Sequence, residues 1–277
     1  MTSRPLLRLL RDAVAVLTVG CFMFPIFWWG LNSIKPVDAV FEHRGVVWFD
    51  FTPTFANYKA TVLGQGPEYL AAREAMTASI IVAIGSTLLA LAAGLPAAWG
   101  LSRLVSRRGR ALYLWVLFQR VLPPVVIVVP LVFVYHRIGL RDTLLGVILA
   151  HGAVNLPFAV LLLKSFLDDV PREVGEAAMI DGATPWQSFR RIHLPMIRGG
   201  IAATAVLCFL FSWTEFVMAL FLTSSIRLLP VQISLSVTQS WGFTSAISIA
   251  GLLPAFVFIL LVQKHLVRGL TMGLEKG

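Results

Sequence analysis

Between Lys164 and Arg198 the chain sets Glu176 beside Ala177 and Ala178, follows with Asp181 and Gly182, and continues Thr184-Pro185-Trp186-Gln187. A carboxylate next to two small side chains suits docking. The acid is one strong, charge-assisted anchor, and the alanines let another backbone approach. The surrounding residues read as two short helices and a sharp turn. Asp168, Asp169 and Pro171 are expected to start the first helix, because acids favour a helix N-terminus and proline fits its first turn. Gly182 suits the left-handed residue that ends it. Thr184 as N-cap, Pro185 at the first helical position and Gln187 at the third form a capping box for the second. Pro195 is expected to break that helix. A well-capped loop without a partner stays open beside docking.

A second set lies in apolar sequence. Glu215, within Ser212-Trp213-Thr214-Glu215-Phe216, is the one acid between Gly199 and Leu222. A charge at bilayer depth costs ~2.5–3.5 kcal/mol on insertion scales, so such an acid is a functional candidate. Trp213, Glu215 and Phe216 suit a sugar, whose hydroxyls need acceptors and whose C–H faces stack on rings. The alternative is structural, an ion pair with Arg120 or with another chain. Asn155 is a further candidate for lining a path. It shares a helix face with His151, four residues earlier, which fits a helix–helix hydrogen bond. Pro123, Pro124, Pro130 and Pro157 interrupt helices and free backbone groups that need partners or a water-filled path.

Other chemistry is missing. The sequence has no G-x-x-x-x-G-K-[ST], no H-E-x-x-H and no G-x-S-x-G. Its histidines, His43, His136, His151, His193 and His265, lack ligand spacing, so no metal site is expected. Cys21 and Cys208 lie inside apolar runs and read as small hydrophobes. The chain itself is not expected to be an enzyme.

Composition names the medium that holds these residues. Of 277 residues, 57% are apolar and 13% charged, against the roughly 25% charged usual in soluble domains. Such a chain is neither disordered nor a single soluble core. Charge-poor runs at 13–31, 76–101, 111–135, 143–163, 199–222 and 246–262 predict six transmembrane helices, since a bilayer core requires roughly 20 residues. The first run follows Arg4, Arg8 and Arg11, yet it is longer than a signal-peptide core and ends at Trp28-Trp29. It reads as a retained helix with an interfacial anchor. With the N-terminus inside, segments 1–12, 102–110, 164–198 and 263–277 hold 15 of the 23 Lys and Arg, and the outer segments hold 7. The net charge of +9 thus reports orientation by the positive-inside rule, with no need for nucleic acid. The largest outer piece, 35–75, carries Trp48, Phe49, Phe51, Phe55 and Tyr58.

The run Glu176-Ala177-Ala178, three residues, Gly182, nine residues and Ile192-x-Leu194-Pro195 resembles the EAA signature of the permease subunits of binding-protein-dependent ABC importers. Asp181-Gly182-Ala183 resembles the carbohydrate branch, and the tail from Leu266 to Gly277 is similar to the ending of maltose-permease G-type subunits. The resemblance implies an all-α membrane protein of six transmembrane helices with the type I ABC importer permease fold. It implies a single transmembrane domain over 1–277, both termini cytoplasmic, in a bacterial-type cytoplasmic (inner) membrane. Residues 164–198 become the coupling loop: Ala177 and Ala178 face a cleft in an ATPase subunit, Glu176 pairs with a basic residue there, Asp181 belongs to the same coupling set, and Gly182 supplies the bend. Gly269, Leu270, Thr271 and Lys276 become a tail contact with the ATPases. The implied partners are a second permease in a heterodimer, two ATPase subunits and an extracytoplasmic solute-binding protein. ATP and Mg belong to the ATPases, and this chain binds no cofactor. The implied cargo is a sugar or related polyol; glycerol phosphate and a polyamine are alternatives. A self-contained secondary transporter is less favoured, because no internal repeat is evident. Glu215 then has a residue of the second permease as a further structural partner. The 35–75 segment either packs on that permease or faces the solute-binding protein.

Overall fold

The computed structural model describes residues 3–36, 39, 47–64, 67–103, 106–237 and 240–271. Among the described residues all regular structure is helical. In chain order the helices are α1 (Ser3–Ser33), α2 (Ala56–Thr61), α3 (Pro67–Arg103), α4 (Arg107–Gln119), α5 (Pro124–Ile138), α6 (Leu144–Asp168) and α7 (Arg172–Ile180). They continue with α8 (Pro185–Met196), α9 (Arg198–Trp213), α10 (Val217–Leu222), α11 (Leu229–Ser236) and α12 (Trp241–Thr271). Within the described residues, α1, α3, α6 and α12 are each long and apolar enough to cross a membrane. Two bent pairs, α4 with α5 and α8 with α9, bring the number of crossings to as many as six.

The chain forms two compact units, Met1–Glu74 with Gln232–Leu253 and Ala75–Val231 with Pro254–Gly277. In the first, α1 leaves Leu9, Val16, Leu17 and Phe22 exposed. A helix apolar all round is built for lipid or a partner helix. Its end is anchored through Lys35, which is buried. The Lys35 ammonium donates to the carbonyl of Val47 at 2.6 Å and lies 4.4 Å from the Trp28 ring. Burial pushes that amine below its ordinary range. Asn57 Nδ2 donates to the carbonyls of Ser33 and Lys35, and Tyr58 donates to Ser33 Oγ. Trp48 meets Trp28 edge-on at 5.1 Å, while Phe49 and Phe55 stay exposed.

The second unit holds both sets of singled-out residues. Ala90 and Ala98 of α3 and Ala159 of α6 are fully buried, the small residues that let helices close up in a bilayer. A Cβ on Gly200 would lie 2.3 Å from Cγ of Phe166, so α9 can start against α6 only with glycine there. The third predicted span, 111–135, is two helices, α4 and α5, bent by 90°. Neither is long enough alone: 13 and 15 residues rise about 20 and 22 Å, against a roughly 30 Å core. Pro123 and Pro124 lie at the break and leave Arg120 at its edge. The fifth predicted span, 199–222, divides into α9 and α10 at residues 214–216.

One tie in this unit joins distant segments. Asp142 adopts a left-handed φ of 60°. Its carboxylate accepts from the N–H groups of Ser224 (2.9 Å), Ser225 (3.1 Å) and Ile226 (3.2 Å) and from the Ser225 hydroxyl (2.6 Å). Burial alone would raise its pKa, but these donors outweigh it and hold the carboxyl well below the usual carboxylate range. Asp142→Asn keeps the shape and the tolerance of a left-handed φ while removing the charge. It should cost about 2 kcal/mol, read as a lower melting temperature of the purified protein in detergent. Because the folded pKa is depressed, the tie is complete above the unfolded value of about 3.9 and is lost as pH falls toward the folded value. The deficit of Asp142→Asn should therefore be constant from pH 8 to pH 5, as estimated from that linkage, and narrow only in stronger acid.

Candidate functional site

The 164–198 segment is two helices and a turn, with boundaries that differ from expectation. Asp168 closes α6 instead of opening the next helix; Lys164 Nζ lies 2.5 Å from its carboxylate and offsets an acid at a helix C-terminus. Pro171 is the N-cap of α7. At the far end Gly182 has φ +86°, and two bonds close a Schellman motif: Gly182 N–H to the carbonyl of Met179 and Ala183 N–H to that of Ala178. Two residues on, Thr184 Oγ1 accepts from Gln187 N–H (3.2 Å) and Gln187 Oε1 accepts from Thr184 N–H (2.8 Å). That is a complete capping box. Pro195 does not break the second helix. A π turn over Phe189–His193 accommodates it, with Leu194 N–H on the carbonyl of Phe189, and the 76° bend comes at Ile197.

This frame fixes which residues of α7 look outward. Glu176, Ala177, Asp181 and Gly182 are exposed. Ala178 is only 7% exposed and, with Gly175, faces the rest of its own chain. Of the expected pair of alanines, therefore, Ala177 alone is presented; successive helical residues turn by about 100°. Ile180 is 86% exposed and Trp186 59%, large apolar side chains on a capped turn that sequence spacing did not single out. Inside the turn, the Arg103 guanidinium meets His193 Nε2. Guanidinium only donates, so Nε2 accepts and Nδ1 carries the proton toward the carbonyl of Ser188 at 3.0 Å. Gly269, Leu270 and Thr271 lie at the end of α12, and Lys276 lies outside the described residues.

The intramembrane set is organised by the gap between α9 and α10. Glu215 accepts from Met218 N–H (2.9 and 3.0 Å) and from Ala219 N–H (3.3 Å), so its carboxylate caps α10. His151 Nε2 lies 3.3 Å from Glu215 Oε2, at ion-pair distance but without hydrogen-bond alignment. The expected Glu215–Arg120 pair is not made. The Arg120 guanidinium instead lies over the rings of Phe158 (5.0 Å) and Phe211 (4.7 Å). His151 Nδ1 is 2.7 Å from Ser212 Oγ, which is 2.9 Å from Ser86 Oγ, and Asn155 Nδ2 donates to the carbonyl of Cys208. His151 and Asn155 thus both bond α6 to α9.

Glu215, Asn155, Arg120, His151 and Phe211 share the wall of a cavity of about 170 Å³. Trp213 and Phe216 are not in that wall. Trp213 is buried and stacks on Phe209 (5.7 Å), and Phe216 packs with the core around Val82 and Met218. The chain leaves the helix at Thr214, so residues on either side of Glu215 diverge. The ring that shares the cavity wall with the acid is Phe211, which the sequence reading does not single out.

Residues 90–272 match the family described as binding-protein-dependent transport system inner membrane component. The probable ABC transporter permease protein y4oR of Sinorhizobium fredii is 33% identical, over 99% of this chain and 98% of that relative. The trehalose transport system permease protein SugB of Mycobacterium tuberculosis is 31% identical (94% and 95%). The sulfoquinovosyl glycerol transport system permease protein SmoH of Agrobacterium fabrum is 32% identical (97% and 94%). In structure, the chain aligns with a bacterial ABC transporter involved in the import of the acidic polysaccharide alginate, with a TM-score of 0.76, 20% identity, and 95% of this chain and 98% of that one covered. The chain therefore belongs to the binding-protein-dependent transport system inner membrane component family, with the type I ABC importer permease fold.

Proposed function

We propose that the chain is the permease subunit of a carbohydrate ABC importer and receives the work of ATP hydrolysis through α7. The observation that carries coupling is the doubly capped turn: α7 and α8 are locked by a Schellman motif and a capping box, yet Glu176, Ala177 and Ile180 remain exposed. Rigid backbone with an exposed acid and an exposed apolar side chain is what a docking element needs. Two ATPase subunits hold ATP and Mg, and this chain transmits their closure from α7 to the break at residues 214–216. A second permease completes the path, a solute-binding protein delivers the cargo from outside, and the N-terminus lies inside. Relatives named for trehalose and sulfoquinovosyl glycerol support a carbohydrate cargo.

The test is reconstitution of the four kinds of subunit in proteoliposomes, with ATP hydrolysis and uptake read across trehalose, maltose, glycerol 3-phosphate and putrescine. A sugar should stimulate both activities; stimulation by putrescine alone would overturn the carbohydrate reading. Truncation after Gly269 should lower the yield of ATPase subunits co-purifying with the tagged permease, because the tail is read as part of the contact. A frayed, solvated terminus predicts no change.

A further inference from the structure

We propose that the cargo carries an acidic group and that Arg120 is the residue of this chain that receives it. The proposal rests on the carbohydrate reading above and narrows it to acidic carbohydrates. Arg120 caps the C-terminus of α4 at the 90° break and stands in the wall of the 170 Å³ cavity. Its guanidinium is held on the Phe158 and Phe211 rings and has neither a hydrogen bond nor an ion pair among the described residues. The rings orient the planar fork but accept none of its five N–H donors.

Most other polar groups of that wall have partners, though His151 Nε2, 3.3 Å from Glu215, makes no hydrogen bond among the described residues. Glu215 is turned toward the N–H groups of α10 and His151, Ser212 toward His151 and Ser86, and the Asn155 amide toward Cys208. What stays open is one oriented cation, with the unbonded Nε2 of His151 on the same wall. A guanidinium without an ion-pair partner in an apolar span is costly, and a carboxylate or sulfonate offsets that cost with two parallel charge-assisted bonds. Neutral hydroxyls can accept from the fork but leave its charge in place and do not match its bidentate geometry. The cavity is smaller than the roughly 300–1,000 Å³ that encloses a whole drug-sized ligand, so it suits one acidic ring held against this wall.

The test uses saturation-transfer NMR on the purified permease–ATPase complex with cellobiose and cellobiouronate, which differ by one CH₂OH against one carboxylate. The acid should bind at least about tenfold more tightly, a difference of the size that charge-assisted recognition supports. Arg120→Gln should bring the acid down to the level of cellobiose, and Arg120→Lys, which keeps the charge, should keep a preference. Equal binding of the two sugars by the wild-type complex, or a preference that survives Arg120→Gln, overturns the proposal and leaves the carbohydrate reading standing. Transfer from neither sugar also overturns the proposal, and the uptake series with trehalose and maltose then decides the carbohydrate reading.

Discussion

Glu176→Lys should abolish ATP-driven uptake while the permease still inserts and folds. The side chain is exposed on α7, the helix is closed at Gly182 by two backbone bonds, and no bond inside the chain depends on the carboxylate among the described residues. Losing a central charged contact costs about 2 kcal/mol or more at an interface, which is about 30-fold in affinity. Reversing its sign adds repulsion. The measurement is co-purification of ATPase subunits with the tagged permease, together with uptake in proteoliposomes. Gly182→Asp is the companion variant. A Cβ there meets open space, so the cost in the fold is limited to the left-handed φ of +86°, about 1 kcal/mol. Uptake should nonetheless fall severalfold, since strain at this residue re-aims α7. Full co-purification and full uptake in both variants would remove coupling from this segment.

The second large effect belongs to Glu215. Glu215→Ala strips the cap from α10, leaving the N–H groups of Met218 and Ala219 and the ring of His151 facing a cavity without the carboxylate. Unmet donors at this depth cost about 1–3 kcal/mol each, so assembled complex should be recovered in much lower yield. Glu215→Gln keeps one oxygen for the α10 cap and loses the charge opposite His151. It should assemble normally and transport more slowly. If Glu215→Ala assembles in normal yield, the capping bonds contribute little and Glu215 has no structural role.

The features legible in the sequence are those whose signals are local. Gly182 and the Thr184–Gln187 pair announce their geometry within four residues, because caps are chemistry between near neighbours. The double proline at 123–124 marks a break, but the 90° bend depends on what packs around α4 and α5. Facing was harder. Sequence order sets Trp213 beside Glu215, yet it packs into the core, because facing depends on where the helix stops and a stop at Thr214 has no strong local sign. The π turn before Pro195 shifts the bend to Ile197, and single-residue insertions of this kind leave the amphipathic pattern nearly intact. The Asp142 tie was invisible for another reason: its partners lie more than 80 residues away.

That separation has a consequence in time. Asp142 and Ser224 are 82 residues apart in the chain, and a ribosome adds about 5–20 residues per second. Roughly 4–16 s therefore pass between the synthesis of the acceptor and that of its donors. Through that interval the hairpin of α5 and α6 exists without its latch, and the carboxylate is solvated by water alone. The latch closes only when α10 and the residues after it arrive. A change at Asp142 should then leave early insertion of the hairpin untouched and show itself in the last step of maturation, as protein that is in the membrane but still open to protease.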